Sequence, residues 1–330
     1  MKLKRPVRTA WLAFLFFPVL TGNGCSRELP KASNSQPQAA PQSVSSEPAP
    51  PANQTGGFDG QRAFAHVEKL VSFGPRTPDS EGIHHAQQYI RQQLDSHGCT
   101  VEEDDFHAGT PIGSVAMKNI IAKAPGEGPS IILLLTHYDT LRLDKFVGAV
   151  DGGSSTGLML EMARQFCGQK QPVAVWIAFL DGEEAFVHWS DTDSVYGSRE
   201  LAARLANSGE LKKIKFVILA DMVGPKNLRI QRDSNSTPWL TEVVWSTARQ
   251  LGYGQYFVTD SGAVEDDHLP FLHRGVPAVD IIDLTDYPYW HTPEDTLDKV
   301  SARSLAIVGH VILETVRGLQ QTVLELQKKK

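Results

Sequence analysis

Two glutamates stand side by side where an apolar run stops. AVWIAFLDGEEAFVHW, Ala174 to Trp189, presents Glu183 and Glu184 directly after Asp181 and Gly182. Adjacent carboxylates at the end of a buried segment repel each other and cost desolvation unless positive charge sits between them. Other apolar runs end in similar groups. LLLTHYD carries His137 and Asp139, GAVDGGSSTG carries Asp151, VILADMVG carries Asp221, and DYPYWHTPED carries His291. Imidazoles and carboxylates are the nitrogen and oxygen donors that hold a zinc ion. With a cation present the pair can divide its work. One glutamate ligates, while its neighbour, pointing elsewhere, serves as a general base. Singly, each residue also has a commonplace role. His137 fits a hydrogen-bonded structural histidine, Asp151 before Gly-Gly a turn or helix cap, Asp221 a partner of backbone amides, and His291 a packing group. The acidic pair alone fits a solvated turn. Five such groups at successive segment ends exceed what turn chemistry explains.

The elements that must position these groups are legible as alternating strands and helices. GQRAFAHVEKLVSFG and GIHHAQQYIRQQLDSHG have helical spacing of apolar positions and end in glycine. TVEEDDF and SVAMKNIIAKA read as strands, an antiparallel pair at a sheet edge. SIILLLTHYDT, VAVWIAFLDGE, IKFVILADMVG and VPAVDIIDL follow as strands. Between them TGLMLEMARQF, GSRELAARLANS and TPWLTEVVWSTARQLG read as helices, and a long helix closes the chain from Ser301 to about Leu326. Strands apolar on both faces and separated by amphipathic helices imply an α/β fold. It has three layers, a mostly parallel central sheet with helices on both faces. Ligands of such sheets bind at the carboxyl ends of the strands, where the His, Asp and Glu set falls.

The chain has 330 residues and a net charge of -6, with no basic excess to suggest nucleic acid. Residues 1–25 have the order of an export signal. Lys2, Lys4, Arg5 and Arg8 precede the apolar run AWLAFLFFPVL, too short for an ordinary membrane span, and TGNGC ends at Cys25. Cys25 after small residues resembles a bacterial lipoprotein processing site, which predicts an exported protein in the periplasm or envelope, tethered to the membrane through a lipid on Cys25. A plain signal peptide or an uncleaved anchor is the alternative. Residues 26–55 are rich in Pro, Ser, Ala and Gln and read as a disordered tether. Residues 56–330 are long enough for one α/β domain, read as a monomer. Within it only Cys99 and Cys167 occur, and they fit one bridge or two buried thiols equally.

The order His137, Asp151, Glu183-Glu184, Asp221, His291 resembles the zinc-dependent M28 aminopeptidase clan. FLDGEEAFVHWSDTDSVYGSRELA, VILADMVGPKN, VEDDHLPFLHRGVPAVDII and YWHTPEDTLD narrow the likeness to the animal-type glutaminyl cyclases of that fold. It spans about Phe64 to Leu313. The resemblance implies an M28 aminopeptidase-like fold and a glutaminyl-peptide cyclotransferase, in a bacterial exported form, that turns N-terminal Gln of peptides into pyroglutamate with release of ammonia. It implies one zinc ion per chain, held by Asp151, Glu184 and His291, polarising the side-chain amide. Glu183 matches the general acid/base, Asp266 a carboxylate assisting proton transfer, and Asp221 its hydrogen-bonded partner. Trp290 and Trp189 match aromatics of the substrate pocket, on whose wall His137 is also placed. The segment between His137 and Asp151 is shorter than in the animal enzymes.

Two other readings use the same residues. A di-zinc aminopeptidase would take His137 and Asp221 as ligands of a second zinc and water as its nucleophile. A tethered binding protein that keeps the fold but has lost catalysis is the other, and the intact Glu183-Glu184 pair and ligand set speak against it.

Overall fold

The central strands bury alternate residues in two separate cores, the signature of a sheet covered on both faces. The computed structural model describes residues 48–284 and 287–328. The basic and apolar leader, Cys25 and the tether up to residue 47 lie outside the described residues. Eight strands form one sheet in the order β1-β2-β4-β3-β5-β8-β6-β7. They are β1 (Thr100–Thr110), β2 (Gly113–Ala124), β3 (Ile131–His137), β4 (Ala174–Leu180), β5 (Ile214–Asp221), β6 (Ile230–Asp233), β7 (Phe257–Gly262) and β8 (Ala278–Ile282). β4, β3, β5 and β8 are mutually parallel. β1 and β2 form the expected antiparallel pair, with β1 at the edge and β2 antiparallel to β4.

Ile132, Leu134, Val175, Ile177, Phe179 and Ile218 point into the larger core. The helices contributing to it include α1 (Gly60–Val71), α3 (Gly153–Phe166), α5 (Pro238–Gln250) and α7 (Ala302–Lys328). Their neighbours Ile131, Leu133, Leu135, Ala178 and Leu219 point into the second core, under α4 (Tyr196–Ser208) and the short α6 (Leu269–Leu272). α2 (Glu81–Ser96) also packs into the larger core through Ile83, Ile90 and Leu94. Asp59 caps α1 by accepting from Gln61 and Arg62 N–H, and Ser80 caps α2 by accepting from Ile83 N–H.

Sequence reading missed β6, β7 and α6. IQRD and FVTDSG carry no apolar run, and β7 is mostly exposed after its first two residues. Tertiary pairing makes them strands: Gln231 pairs with Ile282 of β8, and Ile230 with Phe257. Cys99 and Cys167 form a disulfide joining the start of β1 to the end of α3. Among the described residues no helix is long and apolar enough to cross a membrane.

Candidate metal centre and active site

The parallel strands deliver the chemistry-bearing residues to one end of the sheet. His137 and Asp221 are the last residues of β3 and β5. Glu183 and Glu184 follow β4 by three and four positions, Asp151 lies just before α3, and His291 follows β8. Two glycines allow this delivery. Gly182 has φ +69°, and a Cβ there would stand 2.6 Å from Met117 Sδ; Gly152 has φ +68°, and a Cβ there would meet Asp139 O at 2.8 Å. His291 itself sits in the left-handed region at φ +53°, a conformation that non-glycine residues hold at functional sites when their surroundings enforce it.

Carboxylates that do not face the cavity hold the site loops by their backbone. Asp139 accepts from Glu183 N–H at 3.1 Å and from Glu184 N–H at 3.2 Å. Asp295 accepts from Val150 N–H at 2.9 Å, from Asp151 N–H at 3.1 Å and from the Tyr287 hydroxyl at 2.6 Å. Asp193 accepts from the backbone of Phe186, Val187 and His188, fixing the loop that carries Trp189. Arg76 is fully buried and donates to Tyr138 O, Val147 O and Gly148 O. Its guanidinium thereby ties the segment between His137 and Asp151. Sequence reasoning named Asp139 among the strand-end groups without a separate role and gave none to Arg76, Asp193 or Asp295. Asp139, Asp193 and Asp295 lie within motifs it singled out, whereas Arg76 carries no local signal.

Among the described residues two sets of side chains bring ligand atoms within 4.8 Å of one another: Asp151, Glu184 and His291, and His137, Asp151 and Asp221. They differ in what their polar atoms already have. In the second set His137 Nε2 lies 3.1 Å from Asp221 Oδ1 in a hydrogen bond. In the first, both oxygens of Glu184 and Oδ2 of Asp151 are buried with no hydrogen-bond partner among the described residues. His291 Nε2 lies 3.3 Å from Glu184 and 3.4 Å from Asp151. Burial and then the Asp151 charge push Glu184 up to about 7. Burial opposes protonation of His291, but the Asp151 and Glu184 carboxylates outweigh it and hold the imidazole up to about 10. Orphaned buried carboxylate oxygens beside an imidazole fit a divalent cation.

Glu183 is buried next to this set and faces a cavity of about 550 Å³. Burial and the charges of Glu184 and Asp266, against the pull of His137, raise its carboxyl well above the usual range. Asp266 lines the same cavity, with Asp221, and is raised likewise by burial and then by Asp221 and Asp267. Trp290 stacks on His291 with ring centroids 4.2 Å apart, and Trp189 donates Nε1–H to Glu265 at 3.3 Å. Both indoles line the cavity and both are exposed, Trp290 by 46% and Trp189 by 39%, as pocket walls are and core packing is not. His137, read from sequence as a pocket residue, is 1% exposed beneath the floor and does not line the cavity.

A buried acid and base beside a candidate cation site, walled by indoles, is the arrangement expected of a metal-assisted acyl-transfer site. The family model of Peptidase family M28 matches residues 119–316. Glutaminyl-peptide cyclotransferase of Gloydius blomhoffii is 33% identical over 281 residues, covering 72% of this chain and 76% of its own length. Among solved structures, a glutaminyl cyclase of an Acidobacteriales bacterium superposes with a TM-score of 0.77 at 43% identity, over 86% of this chain and 99% of that one. The glutaminyl cyclase of Porphyromonas gingivalis gives 0.75 at 32% identity, over 79% and 99%. The chain belongs to peptidase family M28 and, within it, to the glutaminyl-peptide cyclotransferases.

Proposed function

We infer that this chain converts the N-terminal glutamine of peptides to pyroglutamate, releasing ammonia, with one zinc ion held by Asp151, Glu184 and His291. The observation that carries the metal assignment is the set of orphaned oxygens on Glu184 and Asp151 beside His291 Nε2. A zinc ion bound there supplies a Lewis acid for the glutamine side-chain carbonyl.

The substrate's own α-amine attacks its side-chain amide carbon. The nitrogen–carbon bond forms within one residue, so proximity is built into the substrate. Glu183 takes the proton from the attacking amine and returns one to the departing amide nitrogen. Its high proton affinity, from burial and neighbouring carboxylates, suits both steps. Asp266, whose carboxyl is raised above the usual range by burial and the Asp221 charge, assists that proton transfer, while Asp221 is hydrogen-bonded to His137. Trp290 and Trp189 hold the short side chain and exclude water.

A di-zinc aminopeptidase is less well supported, because His137 and Asp221 already satisfy each other by a hydrogen bond. Export belongs to the same reading. The basic, apolar, small-residue order of residues 1–25 supports it, Cys25 is the proposed lipid site, and a disulfide in the domain suits an oxidising compartment.

The test measures metal content and ammonia release together. Wild type should hold one zinc ion per chain. Glu184→Gln should lose both metal and activity, whereas Glu183→Gln should keep the metal and lose activity by about a hundredfold or more. Two zinc ions per chain, or a Glu183→Gln enzyme as active as wild type, would overturn this assignment.

A further inference from the structure

A second cavity, of about 670 Å³, opens beside the first. Trp189, Glu265 and Asp266 line both. The hydrogen bond from Trp189 to Glu265 therefore lies between the first chamber and a groove over the α4 and α6 side of the sheet. The groove's apolar lining comes from Leu269, Pro270 and Leu272, and its charge includes Arg199 and Arg274.

These two arginines differ from most others in the fold. Arg91, Arg164, Arg204, Arg232 and Arg249 each pair with a carboxylate. Neither Arg199 nor Arg274 has a carboxylate oxygen within 4.0 Å among the described residues. Arg199 Nε is buried with no hydrogen-bond partner there, and its guanidinium lies over the Tyr196 ring, 4.6 Å from the centroid. Arg274 is braced by donating Nη1–H to Pro270 O at 2.8 Å. A protein of net charge -6 thus keeps two guanidinium groups without a carboxylate partner along one groove, Arg274 exposed and Arg199 shared with a smaller cavity beside Phe106 and Tyr196. A buried donor without a partner is costly unless a ligand supplies one. Guanidinium geometry favours carboxylates. Asp191, Glu265 and Asp266 also line the groove; Glu265 is engaged by Trp189, and Asp266 is buried where the two cavities meet.

Because Trp189, Glu265 and Asp266 line both cavities, a peptide whose first residue occupies the first chamber has the second cavity directly alongside. We propose that the second cavity takes the residues that follow the glutamine, and that Arg199 and Arg274 select peptides with an acidic side chain among the first few of them. This rests on the cyclotransferase reading and adds the substrate class. Braced guanidinium groups lose little freedom on binding, so the selection acts on kcat/KM for peptides and not on the chemistry at glutamine itself.

The experiment compares glutamine amide, too short to reach the groove, with C-terminally amidated Gln-Ala-Ala-Ala, Gln-Asp-Asp-Ala and Gln-Lys-Lys-Ala, so that side chains are the only carboxylates. The expected result is a kcat/KM for the Asp peptide about tenfold above that for the Lys peptide, narrowing as salt is added. Arg199→Gln and Arg274→Gln, made singly, should each shrink the Asp-to-Lys ratio. A ratio measured on one preparation does not depend on how much of it is folded. Normal turnover of glutamine amide with equal or reversed peptide preference overturns the inference and leaves the cyclotransferase reading standing. An unchanged ratio in both variants also overturns it. No turnover of glutamine amide or of any peptide overturns the reading beneath it.

Discussion

Asp139 Oδ1 accepts a hydrogen bond from the Glu183 N–H at 3.1 Å, and its other oxygen takes the Glu184 N–H at 3.2 Å. One buried carboxylate at the end of β3 thus sets the backbone of both glutamates after β4. The division of work between ligand and proton carrier depends on that setting, because a displacement of either side chain separates base from cation site.

Asp139→Ala should therefore weaken zinc binding by roughly ten- to a hundredfold, the usual effect of removing a group that orients a ligand. Competition with a chelator measures this directly. Retention of wild-type zinc affinity would show that the Gly182 turn alone holds the pair.

Arg76→Met should unfold the enzyme at lower temperature. The substitution leaves the carbonyls of Tyr138, Val147 and Gly148 without their buried donor, a loss on the order of 3 kcal/mol or more. The Tm in calorimetry is the measurement, and an unchanged Tm would contradict the role given to this guanidinium.

The disulfide spans a sequence separation of 68 residues. Chain entropy then assigns it about 4 kcal/mol. The double variant Cys99→Ser/Cys167→Ser should show a lower denaturant midpoint, and added reductant should lower the wild-type midpoint toward it. Coincident midpoints would show that the bridge does not stabilise the domain.

His66 gives the fold an acid-sensitive component. Burial, then the charges of His97 and Arg62, lower its folded-state value from 6.5 to about 4. The unfolded chain takes up this proton below pH 6.5, and the folded chain resists until about pH 4. The stability is thus fully present above pH 6.5 and is lost as pH falls toward 4, by up to about 3 kcal/mol. The Tm advantage of wild type over His66→Asn should shrink between pH 7 and pH 5. A constant gap would contradict this assignment.

Much of the site was legible because each strand end carries its own chemistry within a few residues of an apolar run, as at His137, Glu183-Glu184 and Asp221. The four parallel strands and most helices were legible for a related reason: hydrophobic period is a local property. What stayed hidden depends on distant partners. Arg76 acts on carbonyls more than sixty positions away, as its bond to Tyr138 O shows. β6 and β7 are strands because of distant partners, β6 through β8 at Gln231 and β7 through β6 at Ile230. Cysteine spacing left the pairing of Cys99 with Cys167 open, since it requires α3 to end beside the start of β1. Groove residues Arg199 and Arg274 lie within motifs quoted above, but nothing in the neighbouring sequence marks their charge as unpaired.

The measurement that tests the central claim most directly is mass spectrometry of two peptides incubated with the purified, zinc-loaded domain, one beginning with Gln and one with Leu. The account predicts loss of ammonia from the Gln peptide and an intact Leu peptide. Release of the N-terminal residue from either peptide would contradict it, and would make His137 and Asp221 ligands of a second zinc in an aminopeptidase.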